Sequence, residues 1–129
     1  MRGVRAGVVV MGAAALALLP AGTAGAHPLG NFTVNHSAAL LLTPDGIELA
    51  AVIDRAEIPT AQALQDISPD GSPTDDVLAA SAVQQCGALA GDVRLTVDGE
   101  AASWTVTDTS LEVLPGAAGL PTLRLNCQL

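Results

Sequence analysis

The 129-residue chain contains no lysine and no tyrosine, and it has a single phenylalanine, Phe32, and a single tryptophan, Trp104. So few large aromatic rings argue against the stacking platforms with which proteins bind sugars. Five arginines stand against 13 Asp and Glu residues, which gives a formal net charge of −8. An acidic surface repels phosphate backbones, so nucleic acid is excluded as an expected partner.

No apolar run is long enough to span a bilayer. The apolar run at residues 6–19 has about 14 residues, whereas a transmembrane helix needs roughly 20. Arg2 and Arg5 precede it, and a stretch of small residues that ends at Ala26 follows it. This three-part layout predicts a cleavable signal peptide at 1–26 and one extracytoplasmic domain at 27–129, secreted or associated with the cell surface. In that domain three arginines against 13 carboxylates leave a net charge of −10.

Cysteine is also scarce, since only Cys86 and Cys127 are present. An oxidising compartment favours their pairing in a disulfide. The alternative, a metal site with two thiolates, lacks the CxxC spacing typical of such sites and would need ligands from elsewhere.

Alternating apolar and polar residues predict most of the strands. Residues 32–40 alternate with the period of a half-buried strand, and a Pro-Asp-Gly turn at 44–46 leads into a second strand at 47–54. Asp-Gly at 98–99 predicts a two-residue hairpin turn between strands near 93–97 and 102–106. A loop from Pro115 to Pro121 precedes a last strand, which carries Cys127.

Two short helices are predicted between these strands. The first opens at 57–60, where Pro59 is tolerated because it lies in a first turn. The second spans about 73–86, with Cys86 facing the core and Gly87 ending the helix in the left-handed conformation. Strands, then helices, then further strands predict an α+β domain with a mainly antiparallel sheet.

Cleavage after Ala26 would expose His27 as the mature N-terminus. Its free amine and its imidazole Nδ1 together form a chelate for nickel, cobalt, copper or zinc, and Pro28 has no amide proton to lose, so further ligands must be side chains. His36, Asp54 and Glu57 are the candidates. The alternative interpretations are that His36 is a buried, hydrogen-bonded histidine, and that the two carboxylates favour the positive end of the first helix.

Catalysis is not expected. No G-x-S-x-G, H-E-x-x-H or phosphate-binding glycine-rich motif occurs, and both cysteines are predicted to be paired. No small-molecule substrate is evident.

Three segments carry a resemblance: His27–His36 (HPLGNFTVNH), Asp54–Gln62 (DRAEIPTAQ) and Leu114–Leu125 (LPGAAGLPTLRL) with Cys127 after it. Together they resemble the extracytoplasmic N-terminal region of actinobacterial proteins of the nickel/cobalt transporter type. In that group a polytopic membrane part follows such a domain. No apolar run of 18 or more residues follows in this sequence, which suggests a truncated or split version of a longer protein.

Two functions are therefore expected. One is an exported accessory or sensor domain of nickel/cobalt transport that binds a divalent metal through His27. The other is an extracytoplasmic protein-interaction module without metal, whose sheet docks on a membrane transporter partner or on the rest of a split transporter.

Overall fold

The structure, a computed structural model, describes residues 30–129, so the predicted signal peptide and His27 lie outside the described residues. Within this range the chain forms an α+β fold, as predicted, with six strands, two helices and one short 3-10 turn at Ala117–Gly119. The strands and helices in chain order are β1 Val34–Thr43, β2 Gly46–Arg55, α1 Glu57–Ile67, α2 Asp75–Asp92, β3 Leu95–Val97, β4 Glu100–Ala102, β5 Asp108–Pro115 and β6 Pro121–Gln128.

Four strands form one antiparallel sheet in the order β1-β2-β6-β5, and β3 and β4 form a separate hairpin. Both helices pack on one face of the sheet, which we call the helix-side face. The other is called the open face. Because successive strand residues alternate between faces, the buried residues Leu49 and Ala51 of β2 mark the helix-side face and Ala50 marks the open face.

Local sequence explains both hairpins. Pro44 and Asp45 make the two-residue turn between β1 and β2, and the Thr43 hydroxyl donates to the Gly46 carbonyl at 3.1 Å. Asp98 and Gly99 both have positive φ, 52° and 88°, as the predicted hairpin turn requires.

The core lies between the helices and β5–β6. The predicted disulfide is present: Cys86 of α2 is bonded to Cys127 of β6, with the Cα atoms 5.5 Å apart, and both residues are buried. Around it pack apolar side chains from both layers: Leu64, Leu78, Ala82, Leu111, Leu123 and Leu125. The disulfide therefore joins the helical layer to the sheet at the centre of the core.

Two sequence predictions were wrong about boundaries, one for the end of the second helix and one for the strand near 102–106. The second helix does not end at Gly87 but continues to Asp92, because Leu89, two residues further on, packs against the core. The segment Asp108–Pro115, which carried no prediction, is strand β5, and its Leu111 is buried opposite Leu125 of β6. Conversely, residues 103–106 do not continue β4.

Candidate interaction site

The predicted ligand Asp54 lies on the open face and pairs with Arg124. Its carboxylate oxygens accept hydrogen bonds from Arg124 Nε at 2.7 Å and Nη2 at 3.1 Å, a bidentate contact that joins β2 to β6. The hydrogen bond to Asp54 and its negative charge raise the pKa of Arg124. This carboxylate is therefore already engaged by a cation.

His36 lies on the other side of the sheet. In the β1–β2 register His36 is opposite Ile53, while Asn35 is opposite Asp54, so His36 is on the helix-side face and Asp54 on the open face. The imidazole is exposed, and the expectation that His36 is buried was wrong.

Glu57 is buried at the start of α1 and holds a neighbouring loop. Its Oε1 accepts a hydrogen bond from the backbone N–H of Ala117 at 2.8 Å. Gly116 is packed so closely here that an added Cβ would lie 3.0 Å from that oxygen. The carboxylate thus fastens the β5–β6 connection to the helix.

The structure does not bring His36, Asp54 and Glu57 together. Among residues 30–129 no group of three or more His, Cys, Asp or Glu side chains is arranged to hold a metal ion. Metal binding through His27 stays a prediction, and the described residues do not supply it with a ready set of carboxylate ligands.

The feature that stands out instead is β1. This ten-residue strand is at the edge of the sheet, and nearly every one of its residues is exposed. Leu40 and Leu42 expose 57% and 69% of their surface on the helix-side face, and Leu41 exposes 56% on the open face. β1 contains no Asp, Glu, Lys or Arg, although the chain as a whole is strongly acidic.

The outer backbone groups of β1 are identified by the hydrogen bonds of its neighbour. Leu49 exchanges two backbone hydrogen bonds of 2.9 Å with Leu129, so its N–H and C=O point away from β1. In an antiparallel pair, the N–H and C=O of successive residues point alternately toward the partner strand and away from it. Leu40 is opposite Leu49, so Leu40 and every second residue of β1 on either side of it have their N–H and C=O on the outer edge. They are Val34, His36, Ala38, Leu40 and Leu42. No strand within residues 30–129 pairs with this edge.

An apolar groove of about 240 Å³ runs beside this edge on the helix-side face. Leu49, Ala51 and Ile53 of β2 line it together with His36 and Ala38 of β1. Its far wall is formed by two residues at the end of α2, Leu89 and Val93. The groove exists because α2 ends over β2 and leaves β1 uncovered.

The opposite edge of the sheet is different. β5 carries the charged residues Asp108 and Glu112, and it ends at Pro115. Charges and proline are the means by which natural proteins prevent unwanted pairing at a sheet edge. β1 has none of them, so the two edges of this sheet are unequally protected.

Comparisons with protein-family models, with curated proteins and with solved structures found no match for this chain. No helix within residues 30–129 has the length and apolar character needed to cross a membrane. The site is therefore interpreted from its own geometry. It is an open, uncharged strand edge next to an apolar groove, which sequence reasoning missed because residues 32–40 predicted a half-buried strand.

Proposed function

We propose that this chain is an extracytoplasmic protein-interaction domain that binds an extended, uncharged segment of a partner protein as a fifth strand beside β1. The observation that carries the proposal is the outer edge of β1, where five residues present backbone groups that no strand in the described part of the chain pairs with, next to the apolar groove. In strand addition the main-chain hydrogen bonds supply affinity, and pockets for alternate side chains supply specificity.

The chemistry of the partner segment follows from the site. In an antiparallel pair, directly opposed residues point to the same face, so the partner residues that bond to β1 place their side chains over the groove. Small or β-branched apolar side chains suit that face. Asp and Glu are disfavoured because the domain itself is strongly acidic.

The disulfide is compatible with an oxidising, extracytoplasmic environment, and the predicted signal peptide supports export. The resemblance to the region that precedes a nickel/cobalt permease favours a membrane transporter as the partner. In that setting the domain is an accessory of transport. Metal binding at His27 would be a separate property, because the amine and the imidazole of His27 are not among the β1 groups that the proposed interaction uses.

A peptide of alternating valine and threonine, flanked by lysine for solubility, tests strand addition. In the expected pose its valines bond to β1 and lie over the groove, while its threonines face the open side. Methylating the valine backbone nitrogens should abolish binding, whereas methylating the threonine nitrogens should not. Calorimetric titration of the mature chain measures both. Equal binding of the two methylated peptides would refute the proposal.

A variant of the protein provides the complementary test. Ala38→Pro removes an outward N–H but leaves the hydrogen bonds between β1 and β2 in place, because Ala38 does not donate to β2. We expect an unchanged far-UV circular dichroism spectrum and loss of peptide binding. Gly46→Ala changes the first residue of β2, directly after the turn, where the space around the Cβ position is open. This variant is the control, and it should retain peptide binding.

A further inference from the structure

Arg55, the last residue of β2, is a cation that has no anionic partner among residues 30–129. Its Nη2 donates to Gln85 Oε1 at 2.9 Å, whereas its buried Nη1 has no hydrogen-bond partner in the described part of the chain. The ion pair found there joins Arg124 to Asp54 and does not involve Arg55. Arg94 also lies outside that ion pair, but it is exposed to water, whereas Arg55 is partly buried.

This arrangement is unfavourable unless something completes it. A guanidinium keeps its charge at any ordinary pH, and a charge removed from water without a counter-ion costs free energy. Burial lowers the pKa of Arg55, which reports the same cost. The side chain is nevertheless held in place, because Gln85 accepts from Arg55 and in turn donates from Nε2 to Ser81 Oγ at 2.9 Å.

Arg55 lines a cleft between α1 and α2. The part next to Arg55 has a volume of about 370 Å³ and is lined by Gln62, Asp66 and Gln85 among others. It shares Asp66, Ile67 and Gln85 with a second part of about 540 Å³, where the lining becomes more apolar, with Val77, Ala80 and Ala88. The cleft is thus cationic and amide-rich at one end and mostly apolar at the other.

We propose that the cleft between α1 and α2 binds a carboxylate with an apolar tail, the carboxylate at Arg55 and the tail along Ile67, Val77 and Ala80. A carboxylate is the natural complement of a guanidinium, since its negative charge strengthens each N–H bond that it accepts. The amide groups of Gln62 and Gln85 are further donors at this end of the cleft. The peptide C-terminus and a free alkyl carboxylate both have this chemistry. The site is separate from β1 and does not depend on the strand-addition proposal.

Asp66 is the competing carboxylate. It lines both parts of the cleft, yet its carboxylate is not within ion-pair distance of Arg55. If Asp66 formed an ion pair with Arg55 in solution, the guanidinium would need no external carboxylate. The experiment must therefore separate an external carboxylate from Asp66.

Titration of the mature chain with hexanoate, followed by NMR of the arginine Nε–H signals and by calorimetry, provides the test. We expect hexanoate to bind and to shift the Arg55 signal, and hexan-1-ol, which lacks the charge, to bind at least about tenfold more weakly. Arg55→Gln should weaken hexanoate binding by about tenfold to a hundredfold. Arg94→Gln removes the same charge from an exposed position after α2 and should leave binding unchanged.

Asp66→Asn should strengthen hexanoate binding by about threefold, because it removes a nearby negative charge. A peptide with a free C-terminus and its amidated form then identify the source. Tighter binding of the free form than of hexanoate indicates a peptide terminus, and the reverse order indicates a free carboxylate. Equal hexanoate affinity of the wild type and Arg55→Gln would overturn the proposal. So would absence of hexanoate binding in both the wild type and Asp66→Asn.

Discussion

Reduction of the Cys86–Cys127 disulfide should remove a large part of the stability of this domain. The bond closes a loop with a sequence separation of 41. On the chain-entropy model, a loop of that size lowers the entropy of the unfolded chain enough to stabilise the fold by about 4 kcal/mol at 25 °C. A domain of this size has a total unfolding free energy of about 5–15 kcal/mol. The reduced domain should therefore be close to the limit of stability.

Urea unfolding monitored by circular dichroism, with and without a phosphine reductant, measures this difference. Reduction isolates the cross-link, since both sulfur atoms stay in the core, whereas the double variant Cys86→Ala/Cys127→Ala also removes buried side-chain contacts and should lose more. Both cysteines are at most 1% exposed, so reduction of the native protein should be slow and should require opening of the domain. An unfolding free energy that changes by less than about 1 kcal/mol on reduction would refute the reasoning.

Three further predictions concern other parts of the molecule. Gly116→Ala should destabilise the domain by about 1–3 kcal/mol in thermal unfolding, because its Cβ would lie 2.6 Å from the Leu120 carbonyl oxygen and 2.8 Å from Thr122 Cγ2. Gly46→Ala has open space around its Cβ position and serves as the control. An equal loss of stability in the two variants would contradict this prediction. The hydrogen bond from the Ser68 hydroxyl, then that from the Ser72 N–H, lowers the pKa of Asp70. This stabilisation is present above the unfolded-state pKa of about 3.9 and is lost as the pH falls through the lower folded-state pKa. Asp70→Asn should therefore make the unfolding free energy less dependent on pH below about pH 4. An unaltered pH profile of the variant would contradict this role of Asp70. Nickel titration of the mature chain should show binding that weakens on acidification and is lost when one residue is added before His27, because the amine and the imidazole must both be deprotonated; unchanged affinity of the extended chain would exclude the N-terminal chelate.

Local patterns in the sequence were sufficient to predict the fold class, the Asp98–Gly99 turn and the Cys86–Cys127 pair. These features depend on short-range rules or on there being only two cysteines. The prediction that the second helix ends at Gly87 was wrong because tertiary packing overrides helix propensity. Here Leu89 packs against the core, and the helix extends to Asp92. β5 had a weak signal, the alternation of Leu111, Glu112 and Val113, which is shorter than the four to eight residues over which alternation predicts a strand.

The interaction site could not be predicted for a different reason. Alternation along β1 shows that it is a strand, but its exposure depends on which strands lie beside it and on where α2 ends. In the order β1-β2-β6-β5, the last strand inserts next to β2, so β1 stays at the edge. The cleft at Arg55 likewise depends on the separation of two helices. Strand order and helix separation are set by contacts between residues far apart in the chain, so a local sequence pattern does not predict them.

Amide hydrogen exchange along β1 tests the central claim most directly. On addition of the valine–threonine peptide, strand addition predicts slower exchange at the outward amides of Val34, His36, Ala38, Leu40 and Leu42, while the inward amides, already bonded to β2, change little. Uniform protection of inward and outward amides, or protection confined to other elements, would contradict the account.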